Sequence, residues 1–195
     1  MPPTRVDLFC IYNTDGMPFK TIIQPVVVST DEYTTNHETF FTPVELQLPA
    51  QSVRVVCGFF LVNESGHDLE SDEFAIHFYQ KNTHAPGAVN TSYGLDAAQR
   101  EANGYMCSIQ ISNSEADSTN ASRIGFAAPQ MYQLGRIDEQ AIGGQESPHL
   151  EDITITSINA GHTVFMHGTT DGISGSPGPT FSDANGCRVI LTVEY

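Results

Sequence analysis

Seven histidines are the residues of this chain best suited to metal or acid–base chemistry, and His77, His162 and His167 lie in or beside strand-like runs, with acids such as Asp152 close in sequence. Two ligands on one strand share a face only when an even number of positions separates them, because successive side chains alternate across a sheet. His162 and His167 are five apart, which sends them to opposite sides of a regular strand, and no His-x-His pair occurs. The expectation is therefore no metal and no cofactor, with histidines making ordinary hydrogen bonds at strand ends. The acids Asp68, Glu70, Asp72 and Glu73 lack the Asp-x-Asp-x-Asp-Gly spacing of a calcium loop and read as a solvated acidic loop. The cysteines Cys10, Cys57, Cys107 and Cys187 are far apart, with no CxxC pair, and read as reduced thiols that pack as small apolar groups.

Gly172-Ile173-Ser174-Gly175-Ser176-Pro177 sets a serine beside glycines, where backbone amides could form an oxyanion hole. This segment resembles the nucleophile loop of chymotrypsin-like serine proteases, and the resemblance implies Ser174 as the nucleophile. It covers six residues. Ile173 stands where that family carries Asp or another polar residue, no histidine has the Thr-Ala-x-His setting, and only one strand-like run follows. A triad needs its base, so a Gly/Ser-rich loop is the expectation and no catalytic residue is assigned. Three sequons, at Asn63, Asn90 and Asn120, matter only in a secretory route. In a chain without Trp, Tyr93, Tyr105 and Tyr132 are the candidate platforms on which a sugar would stack.

Any such chemistry needs a scaffold, and Gln51 to Asn63 is the most strand-like stretch from which to build one. It is rich in β-branched and aromatic residues, opens after Pro49 and closes into the turn formers Asn63-Glu64-Ser65-Gly66. Val53 and Val55 alternate with Ser52 and Arg54, and Val56 to Val62 is nearly all apolar, the pattern of a strand covered on both sides. Further strands are expected at Arg5 to Tyr12, Phe19 to Ser29, Thr39 to Leu48, Phe74 to Gln80, Tyr105 to Ile111, Arg123 to Ala128, Leu150 to Ile158, His162 to His167 and Cys187 to Tyr195. Pro25 marks Phe19 to Ser29 as an edge, since proline cannot donate to a ladder. The tight Pro49-Ala50 link predicts a hairpin between Thr39 to Leu48 and the organising strand. Gly94 to Asn103, with Asp96 near its first turn and Gly104 at its end, is the one convincing helix, expected to lie across an opening between strands. Met131 to Ile142 reads as a distorted helix or a long connection.

Long loops at Lys81 to Tyr93 and Gly168 to Gly186, with no repeat and no linker, point to a single all-β domain over 1–195. That domain is an antiparallel β-sandwich, jelly-roll or Greek-key like, with one short helix; a closed barrel is the alternative. Val55, Phe59, Leu61, Phe74, Ile76, Phe78, Ile109, Ile155, Val164, Val189 and Leu191 are the expected core.

Eight Lys and Arg against 23 Asp and Glu give a net charge of −15, which argues against nucleic acid, whose phosphates need cations, and against anionic membrane surfaces. The N-terminus lacks the charged and apolar regions of a signal peptide, and no apolar run approaches the ~20 residues of a membrane helix. Three function classes remain, in this order. The first is a structural subunit of a virus or phage particle (a capsid, decoration or fibre-base protein), synthesised in a host cytoplasm and located in the virion. Its partners would be copies of itself and neighbouring virion proteins. The second is a carbohydrate-binding module or lectin with a glycan partner, and the third a hydrolase. The first rests on the missing catalytic signature, the charge-poor loops, and an edge at Phe19 to Ser29 that offers Ile22, Ile23, Val26, Val27 and Val28 to a neighbour. A homo-oligomer is expected, with contacts there, at Gly168 to Gly186 and at Met1 to Thr4.

Overall fold

The computed structural model describes residues 18–61, 73–112, 135–136, 154–173, 178, 180–181 and 183–195, with the backbone alone at 56–61, 73, 110–112, 135–136 and 171–172. Within these residues the chain forms an antiparallel β-sandwich with one short helix. Strands β1 (Phe19–Val26), β3 (Ser52–Leu61), β7 (Thr154–Thr156) and β9 (Cys187–Glu194) make one sheet, in the order β1-β9-β3-β7. Strands β2 (Thr39–Gln47), β4 (Glu73–Tyr79), β5 (Tyr105–Ser112), β6 (Gly135–Arg136) and β8 (Thr163–Gly172) make the other, in the order β2-β8-β4-β5-β6. The helix α1 (Ala97–Ala102) falls between β4 and β5.

The pairing is nested: β1 pairs β9, β2 pairs β8, β3 pairs β7 and β4 pairs β5, all antiparallel. The first four strands alternate between the sheets, so their connections must cross from one to the other. The expected hairpin between Thr39 to Leu48 and the organising strand is therefore not formed. Pro49-Ala50 lacks the Gly, Asn or Asp that would supply the positive φ of a tight hairpin turn. Instead the link crosses between sheets beside the link that joins β7 to β8. Leu48 N donates to His162 O at 2.9 Å and Ser157 N to Gln51 O at 2.7 Å.

Proline and glycine decide several local details. Pro25 is paired with Arg188 in β1, the outer strand of its sheet among the described residues, where a missing donor costs little. Pro43 lies at the register shift between Phe41 and Val44. Nearby, Thr42 N turns from its own sheet to donate to Val27 O at 2.9 Å, joining the two sheets along one side. Gly168 was expected in a loop, but Gly168 to Gly172 belong to β8. A Cβ on Gly168 would stand 2.3 Å from a carbon of the Phe41 ring, so only glycine lets the strand pass there. Arg54 and Glu194, opposite one another on β3 and β9, form an ion pair that matches the buried carboxylate with a cation.

The core fills the space between the sheets. Val55, Phe74, Ile76, Phe78, Ile109, Ile155, Val164, Val189 and Leu191 are all buried, as their alternation requires. The side chains of Phe59 and Leu61 lie outside the described residues, as do the expected strands Arg5 to Tyr12 and Arg123 to Ala128. Phe40 stacks on Phe74 with ring centroids 4.3 Å apart, and Tyr33 and Phe181 pack around it. The Tyr33 hydroxyl donates to Phe40 O at 2.6 Å and accepts from Ser29 N at 2.8 Å, which satisfies the polar atom of a side chain that is otherwise core. Cys187 is buried in the core, and burial raises the Cys107 pKa to about 12. Cys10 and the Cys57 side chain lie outside the described residues.

Replacing Phe40 with Ala removes the ring at the centre of this cluster and should lower the unfolding free energy by about 3–5 kcal/mol. Urea denaturation followed by circular dichroism measures it; a midpoint equal to that of the parent would show that this aromatic layer is not packed as described.

Candidate functional site

Strand β4 is buried on both faces. Phe74, Ile76 and Phe78 enter the core, while Ala75, His77 and Tyr79 point to the outer side of the sheet and are equally inaccessible. Their cover is the segment from Lys81 to Gly104, and its backbone is tied down at both ends. Gln80 N and Lys81 N donate to Gly104 O and Asn103 O. Around residues 90–93, Thr39 N donates to Thr91 O, Asn90 N to Thr39 O and Tyr93 N to His37 O. Between these ties runs α1, started by a capping box in which the Asp96 carboxylate accepts from Gln99 N and the Gln99 side chain accepts from Asp96 N. Gly104 then ends the turn at φ 69°. The helix therefore covers part of a sheet face, beside β5, and does not bridge an opening between strands.

Beneath the cover lies a layer of histidine and tyrosine. His77 on β4 and His167 on β8 are register partners. The Tyr79 and Tyr93 hydroxyls are 2.9 Å apart, Tyr93 Oη is 3.0 Å from His167 Nδ1, and Arg100 Nε donates to Tyr79 Oη at 3.2 Å. Arginine can only donate. The assignment that uses each hydrogen once thus runs from Arg100 to Tyr79, from Tyr79 to Tyr93 and from Tyr93 to His167, leaving the His167 proton on Nε2. The Tyr79 and His167 rings lie 4.6 Å apart, and the Arg100 guanidinium sits 4.5 Å above the Tyr105 ring. His77 Nε2 meets the Thr169 hydroxyl at 2.9 Å.

Burial sets the protonation of this layer. Desolvation lowers the His77 pKa to about 3, helped by the charge of Arg100 and by His167 and His37, and lowers the His167 pKa to about 4. Desolvation also raises the Tyr93 pKa well above its ordinary value, with Tyr79 adding to the effect. The rings are neutral at pH 7.

The sequence-based candidates are redistributed. The structure brings His77 and His167 together but holds His162 in the turn after β7, where its φ is 55°. Among the described residues no group of three His, Cys, Asp or Glu could hold a metal ion. Thr169 and His77 have the form of a hydroxyl and its base, yet among the described residues His77 Nδ1 has no partner to orient it, and Thr169 is only 3% exposed. Tyr93 is committed to Tyr79 and His167, and Tyr105 lies under Arg100 with its hydroxyl donating to Ser108, so neither offers a free face to a sugar. Ser174, Asp152, Tyr132, Asp68, Glu70, Asp72 and the Glu73 side chain lie outside the described residues. Beside the cover, Glu45, Lys81, Asn82, Thr83, Thr163 and the half-buried Phe165 line an open depression of about 580 Å³. Alternation in the sequence marked the core face of β4 but not its second buried face, because Tyr93 and Arg100 arrive from a distant loop and helix.

No family model, curated protein or solved structure matches this chain.

Tyr93→Phe removes the hydroxyl shared by Tyr79 and His167 and keeps the ring. It should cost about 1–3 kcal/mol at pH 7 by leaving buried polar atoms without a partner, with the circular dichroism spectrum unchanged. A loss below ~0.5 kcal/mol in urea denaturation would show that the hydrogen-bonded chain does not hold the cover.

Proposed function

We propose that this chain is a jelly-roll structural subunit of a virus or phage particle, acting through association with copies of itself. The observation that carries the reading is the nested pairing β1·β9, β2·β8, β3·β7 and β4·β5. It is the connectivity of one long two-stranded ribbon folded across two sheets, an architecture used by capsid proteins, by lectins and by metal-binding barrels. The rest of the molecule favours the first of these. The space between the sheets is filled by Tyr33, Phe40, Phe41, Phe74 and Phe181, and His77 and His167 turn away from it. Strand β1, outermost in its sheet among the described residues, and the residue after it expose Ile23 and Val27, at 45% and 43%, beside a backbone edge that a neighbouring strand can use.

A second reading, a glycan-binding module, has one observation in its favour. Phe165 is an aromatic surface in a depression whose other sides carry Glu45, Lys81, Asn82 and Thr83, groups able to hydrogen-bond hydroxyls.

Sedimentation velocity and negative-stain microscopy across salt concentration separate the two. The net charge of −15 opposes association at low salt, so assembly should increase with salt, and the double substitution Ile23→Lys with Val27→Lys should hold the protein as a folded monomer. A parent chain that stays monomeric at high concentration and high salt would overturn the subunit reading. Specific binding on a glycan array, lost in Phe165→Ala, would then establish the second.

A further inference from the structure

Each of the two imidazoles under the cover leaves one nitrogen unused. His77 Nδ1 and His167 Nε2 are buried and have no hydrogen-bond partner among the described residues, while the other nitrogens meet Thr169 and Tyr93. We propose that His77 and His167 form an acid-operated release for the Lys81 to Gly104 segment, which leaves the outer face of β4 and β8 when the two rings take up protons.

Burial opposes a positive charge on either ring, and at His77 the charge of Arg100 with His167 and His37 opposes it further. His77 faces His167 on β8, Arg100 on α1, Tyr105 on β5, Tyr93 of the cover, and His37 in the turn before β2. His167 faces the Tyr79 and Tyr93 rings. No carboxylate bonds to either ring among the described residues; Glu38, next to His37, gives its carboxylate to the Thr34 and Thr35 amides. Protonation also breaks the order of the hydrogen-bonded chain. Its first member, Arg100, can only donate, and a protonated His167 would only donate too, which leaves the Tyr93 hydrogen without an acceptor. Lifting the cover removes Tyr93 and Arg100 together and opens both rings to water, which also weakens the repulsion between His77 and His167. The interactions that resist include the backbone ties at residues 90–93 and at the ends of the cover, the Asn90 Nδ2 bond to Glu32 O and the packing of Val89 against the core; none of the bonds involves β3 or β9.

An uncovered ring returns to an ordinary pKa near 6.5, so the open state binds more protons and acid favours it; above about pH 6.5 the effect is absent. With covered values of about 3 and about 4, lowering the pH from 7 to 5 raises the opening equilibrium by roughly 20-fold per ring, or about 500-fold for the pair.

Hydrogen exchange with mass spectrometry on the full chain at pH 7 and pH 5, corrected for intrinsic rates, reads this directly. Peptides from Lys81 to Gly104 should gain several hundred-fold in opening while β3 and β9 stay protected. His77→Gln and His167→Asn, each removing one titrating ring, should each reduce the gain to about 20-fold. If neither variant folds, the two pH values on the parent chain decide the matter. A cover that opens equally at both, or that opens only together with β3 and β9, would overturn the proposal.

Discussion

From Phe74 to Tyr79 on β4 and from Met166 to Thr170 on β8, neither face is open to solvent, and that constraint organises the molecule. One side of the pair is met by the aliphatic and aromatic core between the sheets. The other carries His77, Tyr79, His167 and Thr169, whose polar atoms would each cost free energy if buried unpaired. Covering that side requires a segment that brings polar partners with it. Lys81 to Gly104 does so: Tyr93 supplies the hydroxyl between Tyr79 and His167, and Arg100 supplies the donor that begins the chain. The capping box at Asp96 and the positive φ at Gly104 are the local means of setting a short helix over β5 and returning the backbone to the sheet.

The same strands tie this layer to the nested topology. Because β8 pairs both β2 and β4, and β9 pairs both β1 and β3, each sheet takes strands from both halves of the chain. The crossing links that make this possible bond to one another, Leu48 to His162 and Gln51 to Ser157, so the corner is itself paired. Among the described residues, the β1 edge and the depression at Phe165 are two surfaces open to a partner. The two functional readings divide along that line.

The sheet-forming residues were legible because alternation and punctuation are local. Phe74, Ile76 and Phe78 announced a core face, Pro25 an edge, and Asp96 with Gly104 the limits of a helix. The hairpin expected at Pro49-Ala50 shows where locality fails. A short link between two strands says how far the chain travels, and only the turn chemistry says whether it folds back or crosses. Missing positive-φ residues were the available sign. The histidines failed differently. Parity along one strand was a sound test for His162 and His167, but His77 and His167 meet across two strands separated by most of the chain, and no spacing rule reaches that far. Met131 to Ile142, ambiguous as sequence, contributes the two-residue strand β6, paired with β5.

The outer face of β4 and β8 carries a buried, neutral layer of histidine and tyrosine held by Tyr93. Imidazole nitrogen NMR on the labelled full chain addresses it directly. Between pH 8 and pH 6 two of the seven histidines should keep neutral-ring shifts without titrating, and one of them, His167, should carry its proton on Nε2 with Nδ1 as acceptor. Seven histidines all titrating near the ordinary value of about 6.5 would contradict the account, because rings under this cover could not take up protons there.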